Sequence, residues 1–142
     1  IDEEKIVRVI LILLSNSIKF SKEKGDICVE MRREDEEVVI KVTDNGIGIN
    51  EDMKEKIFDK FKRVQSVSNL NVDHEGSGLG LYIAKGFIEL HNGSISVVSE
   101  VEKGSTFIIT IPIVIIKNDL HNINHMDEDE LNRIIKIELS DL

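Results

Sequence analysis

The chain has 142 residues, of which 41% are hydrophobic and 32% charged, and this is enough to build the core of one domain. Its net charge of −9 argues against a nucleic-acid-binding surface, because such surfaces need clustered lysine and arginine. The one cysteine, Cys28, excludes an internal disulfide framework and suits a reducing compartment. No apolar run approaches the roughly 20 residues that cross a membrane, so we expect a cytoplasmic domain without membrane or nucleic-acid contacts.

A helix is predicted over residues 2–20, with Asp2 as its N-cap. Its middle, residues 9–14, is apolar all round and is expected to be deeply buried. Asn16 and Lys19 follow close to one face, where an amide and an ammonium group need partners. The pattern leaves two explanations open: a capping amide beside a solvated lysine, or a pair of ligand-binding groups.

A β-hairpin is predicted next, from strands at residues 26–33 and 38–43. In the first strand, Ile27, Val29 and Met31 alternate with polar neighbours, which predicts a half-buried strand.

The second strand runs into the loop sequence DNGIGI, which contains Asp44, Gly46 and Gly48. A carboxylate followed by two spaced glycines is typical of a turn, and it also suits a ligand-binding loop. The carboxylate can accept a hydrogen bond, while the glycines would let a flat ring lie against the backbone.

A short helix is predicted over residues 51–63, in which Phe58 and Phe61 are expected to be core residues. Residues 65–75 are polar with few apolar anchors and no clear period, so we expect a mobile loop that could act as a lid.

A glycine-rich turn, GSGLGL, opens into a helix predicted over residues 79–92, with Gly93 as its C-terminal stop. Apolar residues recur along this helix at helical spacing: Leu79, Ile83, Phe87 and Leu90. Free backbone N–H groups and the positive end of the helix dipole meet where the glycines end, and proteins hold phosphate in this way.

Two further strands are predicted at residues 94–100 and 104–115, and Pro112 indicates an edge or a strand end. Residues 117–142 are acidic and polar before they regain apolar residues, which is compatible equally with a solvated tail and with a docked segment. We therefore divide the chain into a domain at 1–116 and a C-terminal extension at 117–142.

Five motifs follow one another in order within a stretch of about residues 2–113. They are RVILILLSNSIKFS, an asparagine box at 8–21; DNGIGI, a first glycine box at 44–49; IFDKFKRV, a phenylalanine box at 57–64; GSGLGLYIAK, a second glycine box at 76–85; and GSTF, a closing motif at 104–107. Together they resemble the catalytic ATP-binding domain of bacterial sensor histidine kinases, within the wider family that includes gyrase B, mismatch-repair and heat-shock chaperone ATPases.

This resemblance implies a two-layer α+β sandwich of the Bergerat type, with helices on one face of a mixed, mostly antiparallel sheet. It implies ATP and Mg²⁺ as cofactors and transfer of the γ-phosphoryl group to a histidine on a separate dimerisation and phosphoacceptor domain of the same parent protein. That domain and a downstream response regulator are the expected partners. The chain would then be cytoplasmic, or the cytoplasmic part of a membrane-bound sensor.

The resemblance also implies roles for individual residues. Asp44 would accept the exocyclic N–H of adenine with help from Thr106 through water, and Gly46 and Gly48 would line the ring. Asn16 would ligate Mg²⁺, and Lys19 with Lys62 or Arg63 would neutralise phosphate charge. Backbone around the triphosphate would come from the second glycine box: Gly76, Gly78, Leu79, Gly80 and Leu81.

The asparagine box departs from the pattern of the family, which usually reads NLLSNA where this chain has ILLSNS. Ile12 stands where these kinases often have a further asparagine and where hydrolysing relatives have a general-base glutamate, and it can supply neither group. We also expect that the strand usually preceding this helix, and the hairpin with the phosphoacceptor histidine, lie outside the sequence.

Three alternatives remain beside the histidine kinase. An ATP-hydrolysing clamp is disfavoured by Ile12, which cannot act as a base. A nucleotide-binding regulatory module with weak or no kinase activity is made plausible by the same residue. A serine kinase of a regulatory protein would share these motifs.

Overall fold

A four-stranded antiparallel sheet carries two α-helices on one face in a computed structural model, which describes residues 2–60 and 79–113. The sheet order is β1-β2-β4-β3, and each of the three described pairings is antiparallel. This arrangement confirms the predicted fold class. The elements in chain order are α1 Glu3–Lys19, β1 Ile27–Glu34, β2 Glu37–Asp44, α2 Gly80–Leu90, β3 Ser94–Glu100 and β4 Gly104–Pro112.

Helix α1 begins and ends close to its predicted bounds. Asp2 caps it by accepting a hydrogen bond from the Lys5 backbone N–H at 3.3 Å, and this bond lowers the pKa of Asp2. Val9, Leu13 and Ser17 recur every four residues and are its most deeply buried side chains. The predicted burial of the middle of the helix is confirmed.

The core lies between the helices and the central strands. Val42 on β2 pairs with Phe107 on β4, and Ile40 pairs with Ile109, so their side chains share the face that the helices cover. All four side chains are buried, because alternate residues of an antiparallel strand point to the same side.

Strand β1 is more exposed than its alternating pattern predicts. Val29 and Met31 are 45% and 62% exposed, although they pair with the buried Val42 and Ile40. The reason is position: β1 is an edge of the described sheet, and α1 lies mainly over β2. The expectation of a half-buried strand is therefore wrong for the described part of the chain.

Helix α2 turns a different face to the core from the one its spacing indicates. Ile83 and Leu90 are 39% and 74% exposed, whereas Ala84 and Ile88 are completely buried. The small Ala84 allows close packing, which periodicity of large apolar residues does not reveal.

The C-terminal stop of α2 also lies one residue earlier than predicted. Asn92, with a φ of +56°, takes the left-handed conformation. The Asn92 N–H donates to Glu89 O and the Gly93 N–H to Ile88 O, which completes a Schellman motif.

The predicted short helix at 51–63 is wrong in type. The described part forms two single-turn 3₁₀ helices, Glu51–Met53 and Lys56–Phe58. Two adjacent apolar side chains, Ile57 and Phe58, both enter the core, and Phe58 packs edge-to-face on Phe107 with ring centroids 6.3 Å apart. Phe61 lies outside the described residues.

Candidate functional site

A cleft opens where the C-terminal end of α1, the end of β2 and the beginnings of α2 and β4 meet. It encloses about 390 Å³ of space that atoms do not fill, part of it open to solvent. Three of its side chains are polar and the remainder of its wall is apolar or glycine, which is typical of sites for flat organic ligands. The lining residues are Asn16, Phe20, Asp44, Gly48, Ile49, Ile57, Leu81, Ser105 and Phe107.

Asp44 is the buried charge of this cleft. It is 6% exposed, and its carboxylate accepts hydrogen bonds from the Gly46 N–H at 2.9 Å and the Ser17 hydroxyl at 3.3 Å. No lysine or arginine of the described residues forms an ion pair with it. A carboxylate offers about four lone-pair positions, so two donors leave it able to accept an N–H from a ligand.

The two glycines of the DNGIGI loop are needed for packing of the loop itself. A Cβ on Gly46 would lie 2.2 Å from the backbone oxygen of Phe20, and one on Gly48 would lie 2.1 Å from that of Glu100. Gly48 also has a φ of +71°, which side-chain-bearing residues rarely adopt. Gly48 lines the cleft and Gly46 does not, so Gly46 contributes by placing its N–H on Asp44.

Ser99 joins this loop to the turn between β3 and β4. Its hydroxyl oxygen accepts the Ile49 N–H at 2.8 Å, and its proton goes to the carbonyl oxygen of Gly104 at 2.8 Å. Because a serine hydroxyl has one proton, Ser105, whose oxygen is 2.8 Å away, must donate to Ser99. The network ties the loop after β2 to the β3–β4 turn on the side of the cleft where Ser105 lies, and it was not expected from the sequence.

The structure corrects the expectation for Thr106. In the register of β2 with β4, Thr106 pairs with Thr43 on the face away from the helices, and their hydroxyl oxygens are 3.1 Å apart. Ser105 pairs with Asp44 and lines the cleft beside it. Side chains alternate along a strand, so a shift of one residue moves the hydroxyl to the other face.

Asn16 and Lys19 lie at the same end of α1. Asn16 lines the cleft, whereas Lys19 does not. Lys19 is half-buried and forms no ion pair within the described part of the chain. Residues 2–60 and 79–113 contain no group of three or more His, Cys, Asp or Glu side chains that could hold a metal ion.

The second glycine box is described from Leu79 onward. Leu81 lines the cleft, and Gly80 begins α2 against Ile12, whose Cγ2 would lie 3.2 Å from a Cβ at Gly80. Ile12 is buried where α1 packs against the beginning of α2. Several predicted elements lie outside the described residues: Lys62, Arg63, Gly76, Gly78, the lid at 65–75 and the extension at 117–142.

Sequence analysis missed part of the cleft. Phe20, Ile57 and Phe107 supply its apolar wall and Ser105 supplies a hydroxyl group beside Asp44, while Ser17, which does not line the cleft, donates a hydrogen bond to Asp44. One signal was available for Ser105, because the alternation of Phe107, Ile109 and Ile111 places odd-numbered residues of β4 on the core face. No local signal points to Ser17, since its contact with Asp44 spans 27 residues.

No helix in residues 2–60 and 79–113 has the length and apolar character to span a membrane.

Known proteins are similar to this chain in sequence. Sensor protein RprX of Bacteroides fragilis is 41% identical over 120 residues, which make up 83% of this chain and 22% of that protein. The circadian input-output histidine kinase CikA of Synechococcus elongatus is 35% identical over 111 residues, 78% of this chain and 14% of that protein. The chain therefore spans less than a quarter of the length of these two curated relatives.

Solved structures agree. The mycobacterial sensor histidine kinase MprB superposes with a TM-score of 0.69 at 28% identity, over 79% of this chain and 74% of that one. Full-length ShkA in complex with AMPPNP superposes with a TM-score of 0.66 at 28% identity, over 78% of this chain and 22% of that one. Residues 1–115 match the family described as "Histidine kinase-, DNA gyrase B-, and HSP90-like ATPase", and the chain belongs to that family.

Proposed function

We propose that this chain binds MgATP and positions its γ-phosphoryl group for transfer to a histidine on a separate domain of a longer two-component sensor protein. The observation that carries the proposal is the buried Asp44 carboxylate, which lies without a cationic partner among the described residues at the inner end of an apolar cleft. Such a group can accept a hydrogen bond from a flat ligand that presents an N–H, and adenine presents one at its 6-amino group.

The base would lie between the apolar wall and the loop after β2. Phe107, Ile57 and Ile49 exclude water from the inner part of the cleft, which strengthens a hydrogen bond to Asp44. Ser105 is the second polar group at this end, and its oxygen remains an acceptor after its proton is donated to Ser99. AMPPNP, the compound in the ShkA structure, is an ATP analogue with the same base.

The triphosphate would extend toward the beginning of α2 and the end of α1. The first N–H groups of α2, from Gly80 onward, have no partner within the helix and form the positive end of its dipole. Lys19 lies at the end of α1 as a half-buried cation without an ion pair among the described residues. Both features suit a polyanion in a chain whose net charge is −9.

Asn16 would hold Mg²⁺ through its side-chain oxygen. The fit is chemical: the residue lines the cleft, and Mg²⁺ prefers oxygen ligands while keeping waters and substrate phosphates as its other ligands. A single protein ligand is therefore sufficient, and no acidic cluster is needed. Bound Mg²⁺ would neutralise phosphate charge that develops during transfer.

In the transfer step an imidazole nitrogen of the acceptor histidine forms the new bond to the γ-phosphorus. The bond between that phosphorus and the bridging oxygen breaks, and its electron pair leaves with ADP. The chain therefore has to orient the triphosphate and neutralise its charge, and it need not form a covalent bond itself. Ile12 offers no base near Asn16 to activate water, so hydrolysis by this domain alone should be slow.

A second candidate is a nucleotide-binding regulatory module without kinase activity. Ile12 favours it, because a buried apolar side chain replaces a polar group of the family pattern next to the helix that would hold the phosphates. The two candidates share nucleotide binding and differ in transfer.

The experiment has two arms. Calorimetry with ATP, with and without Mg²⁺, should show binding to this chain, and Asp44→Ala should remove it. The parent protein with its phosphoacceptor hairpin should then acquire label from [γ-³²P]ATP on histidine and pass it to a response regulator. Binding without any labelled histidine would reject the kinase in favour of the regulatory module, and acid-stable label on serine would identify the serine kinase.

A further inference from the structure

Ser17 contacts Asp44 from inside the protein. It is 1% exposed, does not line the cleft, and its hydroxyl donates to Asp44 Oδ2 at 3.3 Å. The Gly46 N–H donates to the other oxygen, Oδ1, at 2.9 Å. The carboxylate is thus held by one donor from helix α1 and one from the loop after β2.

Two donors on different oxygens fix the orientation of the carboxylate, which one donor alone cannot do. Rotation of an aspartate carboxylate about its terminal bond is broad, so rotamer preference alone does not fix the plane of the group. A single bond from Gly46 would leave the carboxylate free to pivot about that contact. The bond from Ser17, which comes from a rigid helix, removes this freedom and keeps the remaining lone pairs in one direction.

We propose that Ser17 is a positioning residue for base selection, which holds the Asp44 carboxylate in the orientation that accepts a hydrogen bond from a 6-amino purine. The inference rests on the proposed function, because it takes adenine as the ligand of Asp44. It also assigns a role to the second departure from the asparagine box, where NS stands in place of the usual NA.

Selectivity for the 6-amino group follows from the geometry. A 6-oxo purine presents an acceptor at this position and would face an acceptor-only carboxylate, so it gains nothing from the fixed orientation. Loss of the Ser17 hydroxyl should therefore weaken binding of an adenine nucleotide far more than that of a hypoxanthine nucleotide. A general loss of packing would weaken the binding of both nucleotides equally, because the two ligands have the same ribose and phosphates.

The test compares the affinities for ADP and IDP, measured by displacement of a fluorescent ADP analogue from the unsubstituted chain and from two variants. Ser17→Ala removes the hydroxyl and installs the residue that the family usually has, so the fold should survive. Ser15→Ala is the matched control: Ser15 is a buried serine of the same helix, and the described hydrogen bonds of Asp44 come from Ser17 and Gly46. Thermal melts establish that all three proteins fold.

We expect Ser17→Ala to weaken ADP binding about fivefold and IDP binding less than about twofold, so the preference for ADP falls. Ser15→Ala should leave that preference unchanged. An unchanged ADP affinity in Ser17→Ala, or an equal loss for ADP and IDP, overturns the inference while the proposed function stands. If the unsubstituted chain binds ADP no better than IDP, Asp44 does not recognise the base, and the proposed function is rejected at that point.

Discussion

Gly104 is the position where a single methyl group should do most damage to the cleft. It begins β4 with a φ of +107°, and a Cβ there would lie 2.0 Å from the backbone oxygen of Asp44 and 2.7 Å from the Cα of Asn45. The two obstacles are backbone atoms that cannot swing aside as a flexible side chain can. Gly104→Ala must therefore move β4 away from the end of β2.

The size of the effect follows from two terms. A side-chain-bearing residue in this backbone conformation costs about 1–3 kcal/mol, and overpacking against fixed atoms costs about 1–3 kcal/mol more. We expect the free energy of unfolding to fall by at least about 3 kcal/mol, a large part of the roughly 5–15 kcal/mol that stabilises a domain. Nucleotide affinity should fall as well, because Asp44 moves with its backbone.

Gly86→Ala provides the matched control. Gly86 lies within α2, and a Cβ there would meet nothing within 4 Å. The same substitution should therefore stabilise the protein by about 0.5–1 kcal/mol through helix propensity. Urea unfolding followed by circular dichroism gives the free energy of unfolding of both variants and of the unsubstituted chain. A loss below about 1 kcal/mol for Gly104→Ala would refute the close contact between Gly104 and Asp44.

Three other predictions concern the site. Asp44→Asn should weaken adenine-nucleotide binding by about 1.5–3 kcal/mol, because an amide can present a donor where the ligand needs an acceptor; calorimetry showing parent-like ATP affinity would remove Asp44 from the site. Asn16→Asp should change the Mg²⁺ dependence of nucleotide binding and cripple phosphoryl transfer in the parent protein, and an unchanged Mg²⁺ titration would exclude Asn16 as the ligand. Ser99→Ala should cost about 1–3 kcal/mol of stability, since it leaves the Ile49 N–H without its acceptor; hydrogen exchange at that amide should become faster, and unchanged exchange would contradict the network.

Local patterns predicted the elements of the fold well. The middle of α1 is apolar on every side, and a helix with this pattern is stable only where it is buried. The hairpin and the two later strands were found because alternation and turn residues act over short stretches of chain. Asp44 and Gly48 both line the cleft, and both lie in one loop whose composition is typical of a turn and also suits a ligand-binding loop.

The errors arose where packing between distant segments decides the outcome. Thr106 and Ser105 are both plausible hydroxyl residues, and only the register of β4 against β2 selects Ser105 for the cleft. Helix α2 turns Ala84 and Ile88 to the core, while Ile83 and Leu90, which its spacing indicates, are exposed. The contact between Ser17 and Asp44 depends on the angle at which α1 crosses the sheet, which no single stretch encodes.

The two departures from the asparagine box act on different parts of the proposed ligand. Ile12 and Asn16 are four residues apart on α1, and Ile12 meets Gly80 at the beginning of α2, which is where phosphates would lie. Ser17 is the residue after Asn16, and the 100° turn between neighbours directs it to Asp44, at the base end of the cleft. A change at Ile12 should therefore alter turnover with little effect on the preference for adenine. A change at Ser17 should alter that preference with little effect on the metal-bound phosphates, so the two substitutions separate recognition of the base from transfer of the phosphoryl group.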